Sequence, residues 1–275
     1  MEKTIIENKF ELSILRAIGI LIVYTIILAG IVNIPFYLIE EMDYFQKSQI
    51  TGGLMNVFGE GASNSIIVLL ILRKVRKKSN TDFRLKYIGK WNLKILFAII
   101  SLMVGYVLWY QNSIGIIAEK IPLPEGIEEA FENLLINPYS AVISITIIAP
   151  IFEEIVMRGI MLEGFLNKYK PHNAIIFSAL LFGMWHLNIP QFINATLIGL
   201  ILGIIYYKTN SLILCIVAHM TNNIMAIFVD FSNASSHMLL FLIGSTLFII
   251  SGIMISKFFK ELFEGRNISI EGNIY

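Results

Sequence analysis

Eight runs of apolar residues constrain this chain more than any other feature. A helix of about 20 apolar residues spans a bilayer, because each residue adds ~1.5 Å along the helix axis. Only structures that bond their own backbone polar groups persist inside lipid, so the runs predict helices. The runs cover residues 14–38, 54–72, 91–117, 137–166, 174–189, 192–207, 212–229 and 238–255. They predict an all-α, polytopic membrane protein with about eight transmembrane helices.

The composition excludes a soluble domain beside these runs. Apolar residues make up 56% of the chain and charged residues 15%, against roughly 25% charged residues in soluble domains. We therefore expect a single membrane domain over 1–275, with membrane lipids as partners and no nucleic acid. The chain contains one cysteine, Cys215, which excludes an intramolecular disulfide framework and a zinc site built from cysteines.

The charges of the connections between runs predict the topology. Loops on the cytoplasmic side of a membrane protein carry an excess of Lys and Arg. Basic and non-basic connections alternate along the eight runs, which places both termini in the cytoplasm. The short fifth and sixth runs leave a second arrangement open, a helical hairpin that enters the membrane partway. The basic segments are 73–90, 167–172, 208–211 and the tail from 257, and the others are 40–49, 119–138, 190–191 and 230–237.

Three charged residues inside the fourth run predict a buried polar site. An ionisable residue at membrane depth costs at least roughly 2.5–3.5 kcal/mol, so it needs a partner or a function. Glu154 and Arg158 are four apart and share a helix face, which predicts an ion pair. Glu153 points away from that face and is left as a candidate general base. The alternative is a salt-bridge network that only fixes helix packing.

Two histidines and an asparagine in later runs are the candidate partners of Glu153. His186 follows Phe182 by one turn in the fifth run, and His219 and Asn223 share a face of the seventh. Histidine and asparagine side chains can donate hydrogen bonds to one oxygen atom. The alternatives are a core histidine and interhelical hydrogen bonds without chemistry. We expect His172, His237, Glu163 and Asp230, near run ends, to be solvated. Glu60 either lines the same cavity or faces water.

Three motifs in order resemble those of the CPBP family of intramembrane proteases. They are Glu153-Glu154-xxx-Arg158, Phe182-xxx-His186 and His219-xxx-Asn223, each on its own apolar run. The family includes type II CAAX prenyl endopeptidases and bacterial proteins linked to bacteriocin processing and self-immunity. The resemblance assigns a catalytic core to residues 139–231.

The resemblance also implies a role for each motif residue. Glu153 would activate a water molecule that His186 orients, and His219 and Asn223 would stabilise the oxyanion. Glu154 would hold the site together or act closer to the chemistry, with Arg158 and Phe182 as structural support. We expect Glu153 carboxylate oxygens within about 4–7 Å of imidazole nitrogens of both histidines.

The cofactor is left open between two mechanisms. We favour glutamate chemistry without a cofactor. The alternative is a zinc ion held by Glu153, His186 and His219, since two histidines and a glutamate are a known catalytic zinc set.

The sequence thus predicts an endopeptidase in a membrane, which we expect to be a bacterial cell membrane. It would cut a membrane-associated or lipid-modified protein or peptide, with a possible setting in bacteriocin maturation or self-immunity. A non-catalytic immunity or binding protein is the alternative from another class. A transporter that relays ions through the glutamates is a third, although no internal repeat supports it.

Overall fold

The computed structural model describes residues 10–40, 49–79, 83–89, 91–229 and 237–271, and these ranges contain helices and no strand. A first helical segment, α1, covers 14–40 and contains a π-helical stretch at Leu21–Leu28. The later helices are α2 (Gln49–Ser79), α3 (Leu93–Gln111), α4 (Ile114–Ala118), α5 (Glu125–Leu135), α6 (Pro138–Leu166), α7 (Pro171–Trp185), α8 (Ile189–Thr209), α9 (Leu212–Phe228) and α10 (His237–Glu271).

Each of the eight apolar runs coincides with a helical segment. Helix α4 overlaps the end of the third run, and α5 lies between the third and fourth runs. Within the described ranges, five helices are long and apolar enough to cross a membrane, namely α2, α3, α6, α8 and α10. The polytopic all-α prediction is therefore confirmed. Helix α7 has 15 residues and is about 22 Å long at 1.5 Å per residue. A helix of this length is compatible with a separate span for α7 and with a hairpin of α7 and α8 that enters the membrane partway.

Helix α6 changes its winding around the charged residues. Pro150 has no backbone N–H and cannot bond the carbonyl one turn earlier, and a π-helical stretch at Ser144–Ile148 directly precedes it. A second π-helical stretch, Ile155–Leu162, follows Glu154. Wider turns of this kind occur often at functional sites. The carboxylates of Glu153 and Glu154 thus lie on a short α-helical piece between two wider turns.

Segments predicted on the basic side of the membrane contact one another. The Lys86 Nζ atom lies 2.7 Å from the Glu163 carboxylate and 3.2 Å from the Asn210 side-chain oxygen. The backbone N–H of Leu12 donates to the Gly164 carbonyl. The segment before α1, the connection before α3 and the ends of α6 and α8 therefore lie on one face of the molecule, as the alternation of charges predicts.

The prediction of a solvated side chain is wrong for Glu163, whereas His237 is half-buried and bonded to Asn112. Glu163 is 9% exposed, because Lys86 and the Tyr206 hydroxyl bind its two carboxylate oxygens. His237 lies 2.6 Å from the Asn112 side-chain oxygen and donates from Nδ1 to it. His172 is exposed as expected, and Asp230 lies outside the described residues.

Small residues let α7 and α8 pack closely. A Cβ atom added at Gly199 would lie 2.9 Å from the Ala179 Cα atom, and one at Gly203 would lie 2.9 Å from an Ile175 methyl carbon. Glycines four apart form a flat strip that admits a neighbouring backbone. On the same helix, the Gly199 carbonyl accepts a hydrogen bond from the Arg158 side chain of α6, so the packing of α7 on α8 also positions a residue of the site.

Candidate active site

Three helices bring the motif residues around one cavity of about 390 Å³. Helix α6 contributes Glu153, and α9 contributes His219 and Asn223. His186 follows Trp185, the last residue of α7. Phe182 lies in the wall between the two histidines. Residues separated by up to 70 positions in sequence therefore line the same space, as the sequence motifs predict.

The predicted ion pair of α6 is present and completely buried. An Arg158 terminal nitrogen lies 2.7 Å from Glu154 Oε1, and both side chains are 0% exposed. The second terminal nitrogen donates to the Gly199 carbonyl at 3.3 Å, and the guanidinium carbon lies 4.6 Å from the Phe182 ring centroid. A buried charge pair persists only when hydrogen bonds compensate the loss of water. These contacts supply part of that compensation across α6, α7 and α8, while Glu154 Oε2 and Arg158 Nε are buried without a hydrogen-bond partner among the described residues.

His219 connects the two adjacent glutamates. Its Nδ1 atom lies 2.8 Å from Glu154 Oε1, and its Nε2 atom lies 3.8 Å from Glu153 Oε2. The ionised Glu154 can only accept, so Nδ1–H donates and Nε2 is the atom turned toward Glu153. The side chain of Glu153 is 24% exposed while that of Glu154 is 0% exposed. Glu154 is therefore the buried, paired carboxylate, and Glu153 is partly exposed on the other side of the imidazole.

The imidazole of His186 is oriented in a similar way. Its Nδ1 atom lies 3.0 Å from the Phe182 carbonyl oxygen. A carbonyl can only accept, so Nδ1–H donates and Nε2 is the free ring nitrogen. Edge-on ring contacts place Phe182 5.2 Å from His186 and 5.6 Å from His219, between ring centroids. The distance of 3.8 Å between Glu153 Oε2 and His219 Nε2 agrees with the expected short separation of these groups. The distance between Glu153 and His186 stays a prediction.

Asn223 is held by two local contacts. Its amide nitrogen donates to the Ile145 carbonyl at 2.8 Å, and its oxygen accepts from the Asn222 amide at 2.9 Å. The Ile145 carbonyl lies in the first π-helical stretch of α6, where a widened turn leaves carbonyls without their usual partner. A carboxamide has two N–H groups, so Asn223 keeps a second donor for the cavity.

Three other carboxamides line the same cavity, and the sequence motifs did not identify them. They are Gln191, Asn194 and Asn222. Gln191 and Asn194 are three residues apart at the start of α8. In the sequence, Gln191 falls in the connection 190–191 and Asn194 in the sixth run. The signal for them was the helical spacing of two polar amides at the start of an apolar run. Asn222 precedes a motif position and carries no motif of its own.

A second cavity of about 230 Å³ lies on the other side of Glu153 and contains Glu60. Glu60 interacts with the Ser144 hydroxyl and with the charge of Glu153. Asn64, one turn further along α2, lines the same cavity, together with apolar residues such as Ile67 and Trp185. Glu60 therefore lines a cavity that shares Glu153 with the larger one, and it is not among the residues that line the cavity of the two histidines.

The donor groups of the site do not fit a three-ligand zinc centre. Within the described ranges, no three His, Cys, Asp or Glu side chains converge as metal ligands. The Nδ1 atoms of His219 and His186 are bonded to Glu154 and to the Phe182 carbonyl, and metal-binding histidines make the same kind of bond through the ring nitrogen that does not bind the metal. The fit therefore fails on the convergence of the ligands and not on these bonds, and the chemistry proposed below uses the side chains themselves.

Comparison with known proteins supports the resemblance drawn from the motifs. Residues 135–225 match the family described as Rce1-like, type II CAAX prenyl endopeptidase. The chain is 29% identical over 162 residues to a Bacillus subtilis protein named "Putative membrane peptidase YdiL", covering 58% of this chain and 64% of that relative. The match thus spans less than two thirds of the relative's length. No solved structure matches the chain. Both similarities support a CPBP family protease.

Proposed function

We propose that this integral membrane protein is an endopeptidase that hydrolyses a peptide bond of a membrane-associated or lipid-modified protein or peptide. One observation carries the proposal. The Glu153 carboxylate borders a cavity 3.8 Å from His219 Nε2, while the buried Glu154–Arg158 pair holds the opposite nitrogen of the same imidazole. A reachable base beside an oriented imidazole is the arrangement that peptide hydrolysis needs.

The first chemical step begins with water between Glu153 and His186. Glu153 takes one proton from the water, and His186 Nε2 accepts a hydrogen bond from the other. The water oxygen attacks the carbonyl carbon of the scissile bond, and the carbonyl oxygen becomes an oxyanion. His219 Nε2–H and the free N–H of Asn223 donate to that oxyanion. This role uses both ring N–H groups of His219, one held by Glu154 and the other donated to the oxyanion.

The second step returns the proton. The tetrahedral intermediate collapses, the C–N bond breaks, and the leaving nitrogen takes the proton held by Glu153. The carboxylate of Glu153 is then restored, and no other reactant is needed. Glu154 bonds His219 and Arg158 bonds Glu154, so both act as positioning residues that do not touch the reacting atoms.

The cellular setting belongs to the same proposal. Bacteriocin maturation and self-immunity are the settings that the motif resemblance favours, in a bacterial cell membrane. The substrate would reach Glu153 through the larger cavity, whose walls combine carboxamides with apolar residues such as Ile198 and Ile227.

Comparative membrane proteomics tests the proposal in cells. Cells that produce Glu153→Gln should accumulate an uncut protein or peptide that cells with the wild-type chain process. Glu128→Gln, an exposed glutamate of α5, is the matched control and should leave processing unchanged. The alternative outcome is that the Glu153→Gln chain supports normal immunity or partner binding while the cells contain the same peptides as wild-type cells. That outcome would identify a binding protein.

A further inference from the structure

The strongest feature that the proposed chemistry does not use is the pair of carboxamides at the start of α8. Gln191 and Asn194 line the larger cavity with Glu153 and His219. Residues three apart on a helix lie about 5–6 Å from each other between Cβ atoms. Both side chains therefore face the space in which a substrate would lie.

The oxygen atom of each carboxamide is already bound by a neighbouring side chain. Asn188 donates to Gln191 Oε1 at 2.6 Å, and its own oxygen caps α8 by accepting from the Gln191 backbone N–H. The hydroxyl of Tyr106, a residue of α3 that is 2% exposed, donates to Asn194 Oδ1 at 2.7 Å. Fixing the oxygens orients the two NH₂ groups, which are the groups able to donate to a ligand.

We propose that Gln191 and Asn194 form a subsite that binds the backbone carbonyl oxygens of an extended substrate segment beside the scissile bond. The inference rests on the proposed peptidase function. Carbonyls on one side of an extended chain repeat every two residues, about 6.6 Å apart, which is close to the spacing of the two side chains. Neutral donors suit this task because they bind any peptide backbone without selecting its side chains.

Isosteric substitutions test the subsite. Gln191→Glu and Asn194→Asp keep the oxygens that Asn188 and Tyr106 bind, but replace NH₂ donors by acceptors that repel a carbonyl. Each should raise KM about tenfold or more, the effect of one lost hydrogen bond, and leave kcat within about threefold. Tyr106→Phe frees Asn194 without removing its donors and should raise KM less. Gln111→Glu, at the end of α3 and outside both cavities, is the matched control and should change neither constant.

The probe is a library of ten-residue quenched-fluorescence peptides in liposomes, half of them carrying a farnesylated cysteine. The same peptides with a photoreactive leucine are cross-linked to the Glu153→Gln chain, and this second assay does not require cleavage. The cross-link yield should fall when Gln191→Glu or Asn194→Asp is added to Glu153→Gln.

The outcomes separate the subsite from the proposed function. Cleavage by the wild-type chain with unchanged KM in both α8 variants would overturn the subsite and leave the endopeptidase standing. Cross-links that depend on Gln191 and Asn194 without any cleavage would support the subsite and remove the endopeptidase. Peptides that cross-link elsewhere, with yields unaffected by the α8 variants, would overturn the subsite.

Discussion

At the scale of single residues, adjacent glutamates occupy different environments because successive helical positions point about 100° apart. Glu154 is closed in by Arg158 and His219, whereas Glu153 faces both cavities. A buried carboxylate bonded by two neighbouring side chains is fixed in place, and a carboxylate at a cavity wall can meet a water molecule. We therefore expect Glu153 to take part in the reaction and Glu154 to hold His219 in position.

Glu154→Gln tests this division. The change keeps the shape of the side chain but leaves Arg158 buried without its anion, which should cost about 3–5 kcal/mol of stability. It should also weaken the hold on His219, because the Nδ1–H then meets a neutral amide oxygen in place of a carboxylate, and lower kcat about 100-fold or more. Thermal unfolding in detergent and peptide cleavage measure the two effects.

The double variant Glu154→Gln with Arg158→Met separates support from catalysis. Removing both charges should recover much of the lost stability, because no unpaired charge stays buried. Activity should stay low, since His219 Nδ1–H still meets a neutral amide oxygen in place of the carboxylate. Recovery of activity together with stability would show that Glu154 serves only the packing.

The ion pair of α6 could be predicted from sequence, whereas the contact between His219 and Glu154 could not. A spacing of four on a helix fixes a local neighbour, so Glu154 and Arg158 follow from the chain itself. His219 lies 65 positions from Glu154, and that contact depends on how α9 packs on α6. The orientation of the Gln191 and Asn194 carboxamides depends on hydrogen bonds from Asn188 and Tyr106. The bond from Tyr106 also depends on how helices pack and could not be predicted from sequence.

At the scale of helices, the position of Arg158 depends on the contact between α7 and α8. Gly199 supplies both the space that Ala179 occupies and the carbonyl that Arg158 bonds. The glycine spacing predicts a packing strip, and the structure confirms it. The π-helical stretches of α6 had no clear sequence signal except Pro150, because winding responds to tertiary packing.

Gly199→Ala tests this helix contact. The added Cβ would lie 2.9 Å from the Ala179 Cα atom, so α7 and α8 must separate and the protein should lose about 1–3 kcal/mol of stability. Activity should fall as the Gly199 carbonyl moves away from Arg158. Gly61→Ala on α2 meets nothing within 4 Å and should be neutral or slightly stabilising. Equal thermal stability of the two variants would contradict the packing account.

At the scale of the whole molecule, contacts among the basic connections support one cytoplasmic face. Lys86, Glu163 and Asn210 join three chain segments there. The alternation of charges in the sequence was sufficient to predict this grouping, because topology follows loop charge and not side-chain packing. We propose that this face and both termini lie in the cytoplasm.

Cysteine accessibility in intact cells checks the topology. Cys215 is buried, and a Cys215→Ala chain provides the background for single cysteines at the exposed positions Lys168 and Glu128. A membrane-impermeant maleimide should label Glu128→Cys in intact cells and Lys168→Cys only after permeabilisation. The reverse pattern would invert the proposed orientation.

The central claim, that Glu153 activates water for peptide hydrolysis, is tested most directly with purified protein in liposomes. Single-turnover cleavage of the quenched-fluorescence peptides should fall about 10²–10⁴-fold in Glu153→Gln, the typical contribution of a general base. Binding of the same peptides, measured by the cross-linking assay, should change little. A Glu153→Gln chain that cleaves at the wild-type rate would contradict the account.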